Sequence, residues 1–168
     1  MSEASEVGAN ARARAERIVR EAVATLASQS PPDELIAERH SGKLFGVLPQ
    51  QPRLVASTRV WRLGILLLDE AAALYRVGDI IVTETERQQG YVSELARSRA
   101  ELKAAARRGR IPAGTVVNLD VRRIRFEPLD APLEWRDGDV WLQWASGSWM
   151  PLERYVLDRL QLRAGSAR

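Results

Sequence analysis

Apolar residues concentrate between Arg59 and Glu84, and the rest of the chain is read outward from there. Two apolar runs, Val60–Leu68 and Leu74–Thr83, are joined by a short connection around Asp69 to Ala73. Their length and their Val, Ile, Leu and aromatic content predict a β-hairpin rather than a helix. Trp61, Leu63, Ile65 and Leu67 then share one face, and Val60, Arg62, Gly64, Leu66 and Leu68 the other. Gly78-Asp79 reads as a bulge that returns Ile80 and Val82 to the face of Tyr75 and Val77. The connection has no Asn-Gly or Asp-Gly pair, which predicts a loop longer than two residues.

Upstream, Ile18, Val19, Ala22, Val23 and Leu26 recur at helical spacing and predict a helix from an N-cap at Asn10 to Ser28, with residues 2–10 frayed. Ser30-Pro31-Pro32-Asp33-Glu34 has the form of a second, short helix start, ending near Ser41-Gly42. Leu44 to Leu48 reads as a short strand. Downstream, a helix over 93–108 is capped by Ser93 and stopped by Gly109, with Leu95, Leu102 and several alanines on its apolar side. A strand over 115–127 turns Val117, Leu119 and Val121 inward and Asn118, Asp120 and Arg122 outward. Arg136-Asp137-Gly138-Asp139 is a hairpin turn between Leu133–Trp135 and Val140–Trp144, which makes Trp135 and Trp141 candidate cross-strand neighbours. A short strand at Trp149-Met150 and a helix over 152–162 close the chain. Together these elements predict an α+β fold: one antiparallel β-sheet covered by helices, in a single domain spanning residues 1–168 with frayed ends.

Composition narrows the chemistry. With no cysteine, disulfides, thiolate nucleophiles and Cys-based metal sites are excluded. The N-terminus carries acids and arginines where a secretory leader needs an apolar core, and no apolar run reaches membrane-spanning length. The expected setting is cytoplasmic, with no membrane partner. Net charge is +3, but nine basic residues face two acids between Arg97 and Arg125, leaving the remainder at −4. Such asymmetry points either to an anionic partner or to a solvated arginine face.

The runs VWRLGILLL and LYRVGD, followed by YVSELARSRAELKAAARRGRIPAG and a strand, resemble a group of short bacterial proteins, some of which are labelled glutaminase. The resemblance spans the middle half of the chain. It implies a serine amidohydrolase working through a Ser-x-x-Lys pair. This sequence departs from that pattern: His40 stands three residues before Lys43 and Ala100 three before Lys103.

His40 is the single histidine and is explained by a favourable place near a helix C-terminus. Metal ligands and cofactor motifs are not recognised: phosphate-loop glycines are missing, and Asp137 and Asp139 are accounted for by turn chemistry. The most unusual feature is the cluster Trp135, Trp141, Trp144 and Trp149. Trp141 and Trp144 should point to opposite faces of a strand; either one enters the core and the other is exposed as an anchor, or all four tryptophans pack against the C-terminal helix. Candidate binding residues are therefore Arg107, Arg108, Arg110, Arg122, Arg123, Arg125, Trp141 and Trp144. Three function classes follow: a non-catalytic interaction domain, with a homodimer as one form; nucleic-acid binding through the Arg97–Arg125 region; and a hydrolase with a Ser or carboxylate site not identified from sequence.

Overall fold

The structure, a computed structural model, describes residues 3–41, 43–44, 48–49, 51–83 and 94–166. In chain order the elements are α1 (Glu3–Gln29), β1 (Glu34–His40), β2 (Lys43–Leu44), β3 (Leu48–Pro49), β4 (Arg53–Leu63), β5 (Leu66–Asp69), β6 (Leu74–Arg76), β7 (Asp79–Val82), α2 (Glu94–Arg108), β8 (Val116–Leu119), β9 (Arg122–Ile124), β10 (Leu133–Arg136), β11 (Asp139–Ala145), β12 (Ser148–Pro151) and α3 (Leu152–Ser166). The fold is α+β with mostly antiparallel pairing. Two compact units emerge, the first from Met1–Pro32, Val60–Arg76 and Arg122–Arg168, the second from Asp33–Arg59 and Val77–Val121. The units interleave in sequence, and the chain passes from the first to the second directly after Pro31-Pro32.

In the first unit, α1 begins before Asn10, so that residue lies inside the helix rather than capping it. Ala11, Ala15, Ile18, Val19, Ala22 and Leu26 form its buried stripe. The apolar run Val60–Leu68 is two strands, not one. Gly64, with φ +63°, opens a two-residue turn, and Leu63 pairs with Leu66 and Trp61 with Leu68. The turn inverts the alternation, so Leu66 and Leu68 join Trp61 and Leu63 in the core and Leu67 faces away from it. The longer loop expected after β5 is present. Asp69 accepts from the Ala73 amide at 2.8 Å, and Ala72 takes a left-handed conformation. Beyond β6, Val77-Gly78 does not bulge a continuing strand: β6 pairs with β5 and β9, whereas β7 pairs with β8 in the second unit.

β10, β11 and β12 form a separate three-stranded sheet instead of extending the central one. Asp137 and Gly138 both have positive φ, as the tight turn between β10 and β11 demands. Trp135 pairs with Val140, and Trp141 lies opposite Glu134, so the two tryptophans occupy opposite faces rather than one. Leu133, Val140 and Leu142 face the core shared with α1 and with Leu152, Tyr155, Val156 and Leu160 of α3.

In the second unit, Glu34–His40 is a strand where a short helix was expected. Leu35, Ile36 and Ala37 are buried, and β1 pairs in parallel with β8, so long-range pairing overrides the local helix-start pattern of Pro31-Pro32-Asp33-Glu34. His40 therefore ends a strand, not a helix. The stretch predicted as a strand over 115–127 breaks at Asp120, whose φ of 52° ends β8 before β9 begins in the first unit. Asn118, expected outward, is fully buried and donates to the Glu34 carboxylate at 2.8 Å and to the Leu35 carbonyl at 3.3 Å. Substituting Asn118→Ala is expected to cost about 1–3 kcal/mol, because a buried carboxylate loses a donor. Urea denaturation followed by circular dichroism measures this, and a loss within a few tenths of a kcal/mol contradicts it.

α2 covers this unit with Ala105, Ala106 and Leu102. Gly109 was expected to adopt the left-handed helix stop, yet Arg110 does so, at φ 60°. Glycine is needed at 109 for space, since a Cβ there would collide with the Leu54 carbonyl. Ser93 lies outside the described residues. Lys43–Leu44 and Leu48–Pro49 pair as antiparallel strands in place of one strand over 44–48.

Candidate functional site

The first unit contains a cleft of about 710 Å³ whose position follows from how two strands end. β6 and β9 stay paired as far as Leu74 and Ile124. Beyond that pair each backbone is claimed by its own aspartate. The Asp69 amide donates to the Ala73 carbonyl, and the Asp69 carboxylate accepts from the Ala73 amide. On the other side the Arg125 amide donates to the Asp130 carboxylate at 3.1 Å, and the Asp130 amide donates back to the Arg125 carbonyl. With their hydrogen bonds satisfied locally, the two ends separate. Ala71, Ala72, Ala73, Leu74, Ile124 and Phe126 supply an apolar lining between them.

α1 crosses the opening and presents Arg12, Glu16 and Arg20, one helical turn apart. With Arg123, Arg125 and Glu127 they give four arginines against two glutamates. Arg12 donates to Glu16 at 2.8 Å and to Glu127 at 2.5 Å, and Arg20 reaches Glu16 at only 3.5 Å. Arg125 donates two guanidinium hydrogen bonds to Asp130, at 3.0 and 3.2 Å. Those bonds hold the Asp130 carboxyl below its ordinary range. The Arg12 hydrogen bond does the same for Glu16. Arg123 stands apart: it lines the cleft, but its guanidinium has no hydrogen bond or ion pair with another described residue. Opposite it in register, the Tyr75 hydroxyl donates to Asp69 at 2.9 Å, and burial, followed by that bond, raises its pKa.

A second feature lies on the outer face of the three-stranded sheet. Trp141 pairs with Glu134 and Trp149 with Gln143, placing both indoles on the face away from the core. The Arg136 guanidinium stacks 3.8 Å from the centre of the Trp149 ring. Trp144 sits at the irregularity between Gln143 and Ala145 and is 40% exposed. Neither Trp141 nor Trp144 is buried, which corrects the expectation that one of them belongs to the core.

The arginines named from sequence fall into two groups, one in each unit. Arg122, Arg123 and Arg125 belong to β9 and its continuation, with Arg123 and Arg125 on the cleft and Arg122 opposite Arg76. Arg107 and Arg108 form the last turn of α2, and Arg110 follows it. Arg108 Nε donates to the Pro52 carbonyl at 2.7 Å. Sequence reasoning missed Arg12, Glu16 and Arg20, although their spacing of four was available as a signal; it was absorbed into the polar side of a helix. It also gave Asp69, within the connection to Ala73, no role and passed over Asp130.

His40 Nε2 lies 3.6 Å from the Glu38 carboxylate at the exposed end of β1. Among the described residues no group of three or more His, Asp and Glu side chains is placed to hold a metal, and no helix is long and apolar enough to cross a membrane. Comparison with protein-family models, curated proteins and solved structures finds no match for this chain.

Proposed function

We propose that this protein is a non-catalytic interaction domain that binds a protein partner through the outer face of the β10–β12 sheet, with a second copy of the chain as the first partner to test. The observation that carries this reading is the half-exposed Trp141, Trp149 and Arg136 set beside the exposed Trp144. Tryptophan and arginine dominate the energetics of protein interfaces because they bury large flat surfaces and keep a hydrogen-bonding edge. The stack of Arg136 on Trp149 fixes both side chains before any partner arrives, which reduces the entropy lost on association. Single-stranded nucleic acid binding through Arg122, Arg123 and Arg125 ranks below this reading, since Asp130 already takes Arg125 in two hydrogen bonds.

Sedimentation velocity over a range of concentrations tests the reading. The wild type is expected to self-associate, and the double variant Trp144→Ser, Trp149→Ala is expected to weaken association by about tenfold or more while keeping its circular dichroism spectrum. A monomer at every concentration, with no change in tryptophan emission, removes the homodimer. Undiminished association in the double variant moves the interface away from this face.

A further inference from the structure

We propose that the cleft between α1, the 71–73 loop and β9 is a binding site for a small organic anion, one whose oxyanion group sits on an apolar body. The charge assignment comes from the lining. Four arginines face two glutamates, and Asp130 neutralises Arg125 from beside the cleft, which leaves an excess of one positive charge. The existing ion pairs leave that charge on Arg123. Glu16 and Glu127 are both committed to Arg12, and Arg125 is held by Asp130. The Arg123 guanidinium has no hydrogen bond or ion pair among the described residues, and Arg20 keeps only its long contact with Glu16.

Arginine suits this role because its planar fork offers two parallel N–H donors to a carboxylate or phosphate and stays protonated at every relevant pH. The apolar requirement comes from the floor. Ala71, Ala72, Ala73 and Phe126, the lining's partly exposed apolar residues, gain nothing from a bare inorganic ion, but an aromatic or aliphatic body would cover them. A cleft of about 710 Å³ has the size of a small-molecule site. The aspartates set its shape, Asp69 holding one wall and Asp130 the other, so the opening does not have to form when the ligand arrives. The inference uses residues distinct from the tryptophan face, so either can fail without the other.

The test is an NMR titration of the full chain with phenyl phosphate, phthalate and benzamide. Phenyl phosphate and phthalate carry the two oxyanion chemistries the arginines accept, and benzamide is an uncharged control of similar bulk. At least one of the two anions is expected to give saturable amide shifts at Ala72, Arg123 and Phe126 that weaken with added salt. Whichever binds identifies the headgroup as phosphate or dicarboxylate. Arg123→Gln is expected to weaken that binding by about tenfold or more, while Arg107→Gln in the second unit leaves it unchanged. Dispersed amide spectra show that both variants remain folded. The proposal is overturned if neither anion shifts these resonances, if benzamide binds equally well, or if Arg123→Gln retains wild-type affinity. Equal weakening by Arg107→Gln also overturns it, since a general charge effect would then account for the binding.

Discussion

Trp61→Ala is expected to destabilise the protein by about 3–5 kcal/mol, the range for truncating a large buried aromatic side chain. Trp61 is 1% exposed and lies opposite Leu68 on the core face of the first unit. Its indole also does something an aliphatic side chain cannot. Nε1 donates to the Ser30 carbonyl at 2.9 Å, just past the end of α1, whose own amide closes the helix on Leu26. The bond ties the C-terminal end of α1 to β4 and satisfies a carbonyl that the helix leaves open. The effect therefore separates into packing and polar parts. Trp61→Phe keeps most of the buried area and loses the donor, so it should cost about 1–2 kcal/mol. Guanidinium denaturation monitored by far-ultraviolet circular dichroism gives both values. An alanine variant that loses less than 1 kcal/mol would place Trp61 outside the core.

Trp61 also shows where the sequence is readable. A period of two places Trp61 and Leu63 on one face, and the structure agrees. The same rule fails two residues later because it assumes an unbroken strand. Gly64-Ile65 is not among the dipeptides that advertise a two-residue turn, yet a single left-handed glycine is sufficient to reverse the chain there. Leu66 and Leu68 thus reach the core by the turn, not by alternation. Arg136-Asp137-Gly138-Asp139 succeeded because both left-handed positions carry residues that tolerate them.

β1 failed for a different reason: Leu35 and Ile36 are too few to declare a period, and their partner strands, β8 at Val116–Asn118 and β4, decide their conformation. Asn118 was placed outward by alternation alone, whereas its amide is bound to Glu34 of the neighbouring strand. The cleft was the least legible feature. Arg12, Glu16 and Arg20 declare a helix face, but nothing local says that this face looks into the gap where β6 and β9 separate. That gap depends on Asp69 and Asp130, each acting on its own backbone, and neither stands out in a list of charged residues.

The turn at Gly64 supplies the second large effect and a way to isolate it. Gly64→Ala is expected to cost about 2–5 kcal/mol, from two sources. A left-handed alanine carries a backbone penalty of about 1–2 kcal/mol. The new Cβ would also collide with the Tyr155 hydroxyl. That hydroxyl accepts from the Ile65 amide at 2.9 Å and donates to the Leu63 carbonyl at 3.3 Å, holding the turn from α3. Driving it away leaves a partly buried amide unsatisfied, the more costly half of a broken hydrogen bond. Tyr155→Phe alone removes the same bonds and should cost about 1–2 kcal/mol. The two changes must then be non-additive. With the hydroxyl already gone, the alanine meets only the ring carbon and the Arg159 guanidinium, at 3.3 and 3.1 Å before the change, and the amide has no bond left to lose. The double variant should therefore be more stable than the sum of the single losses predicts, by about 1 kcal/mol or more. Denaturation of the four proteins completes the cycle. Additivity within about 0.3–0.5 kcal/mol, the margin for independent sites, would mean that Tyr155 does not hold this turn.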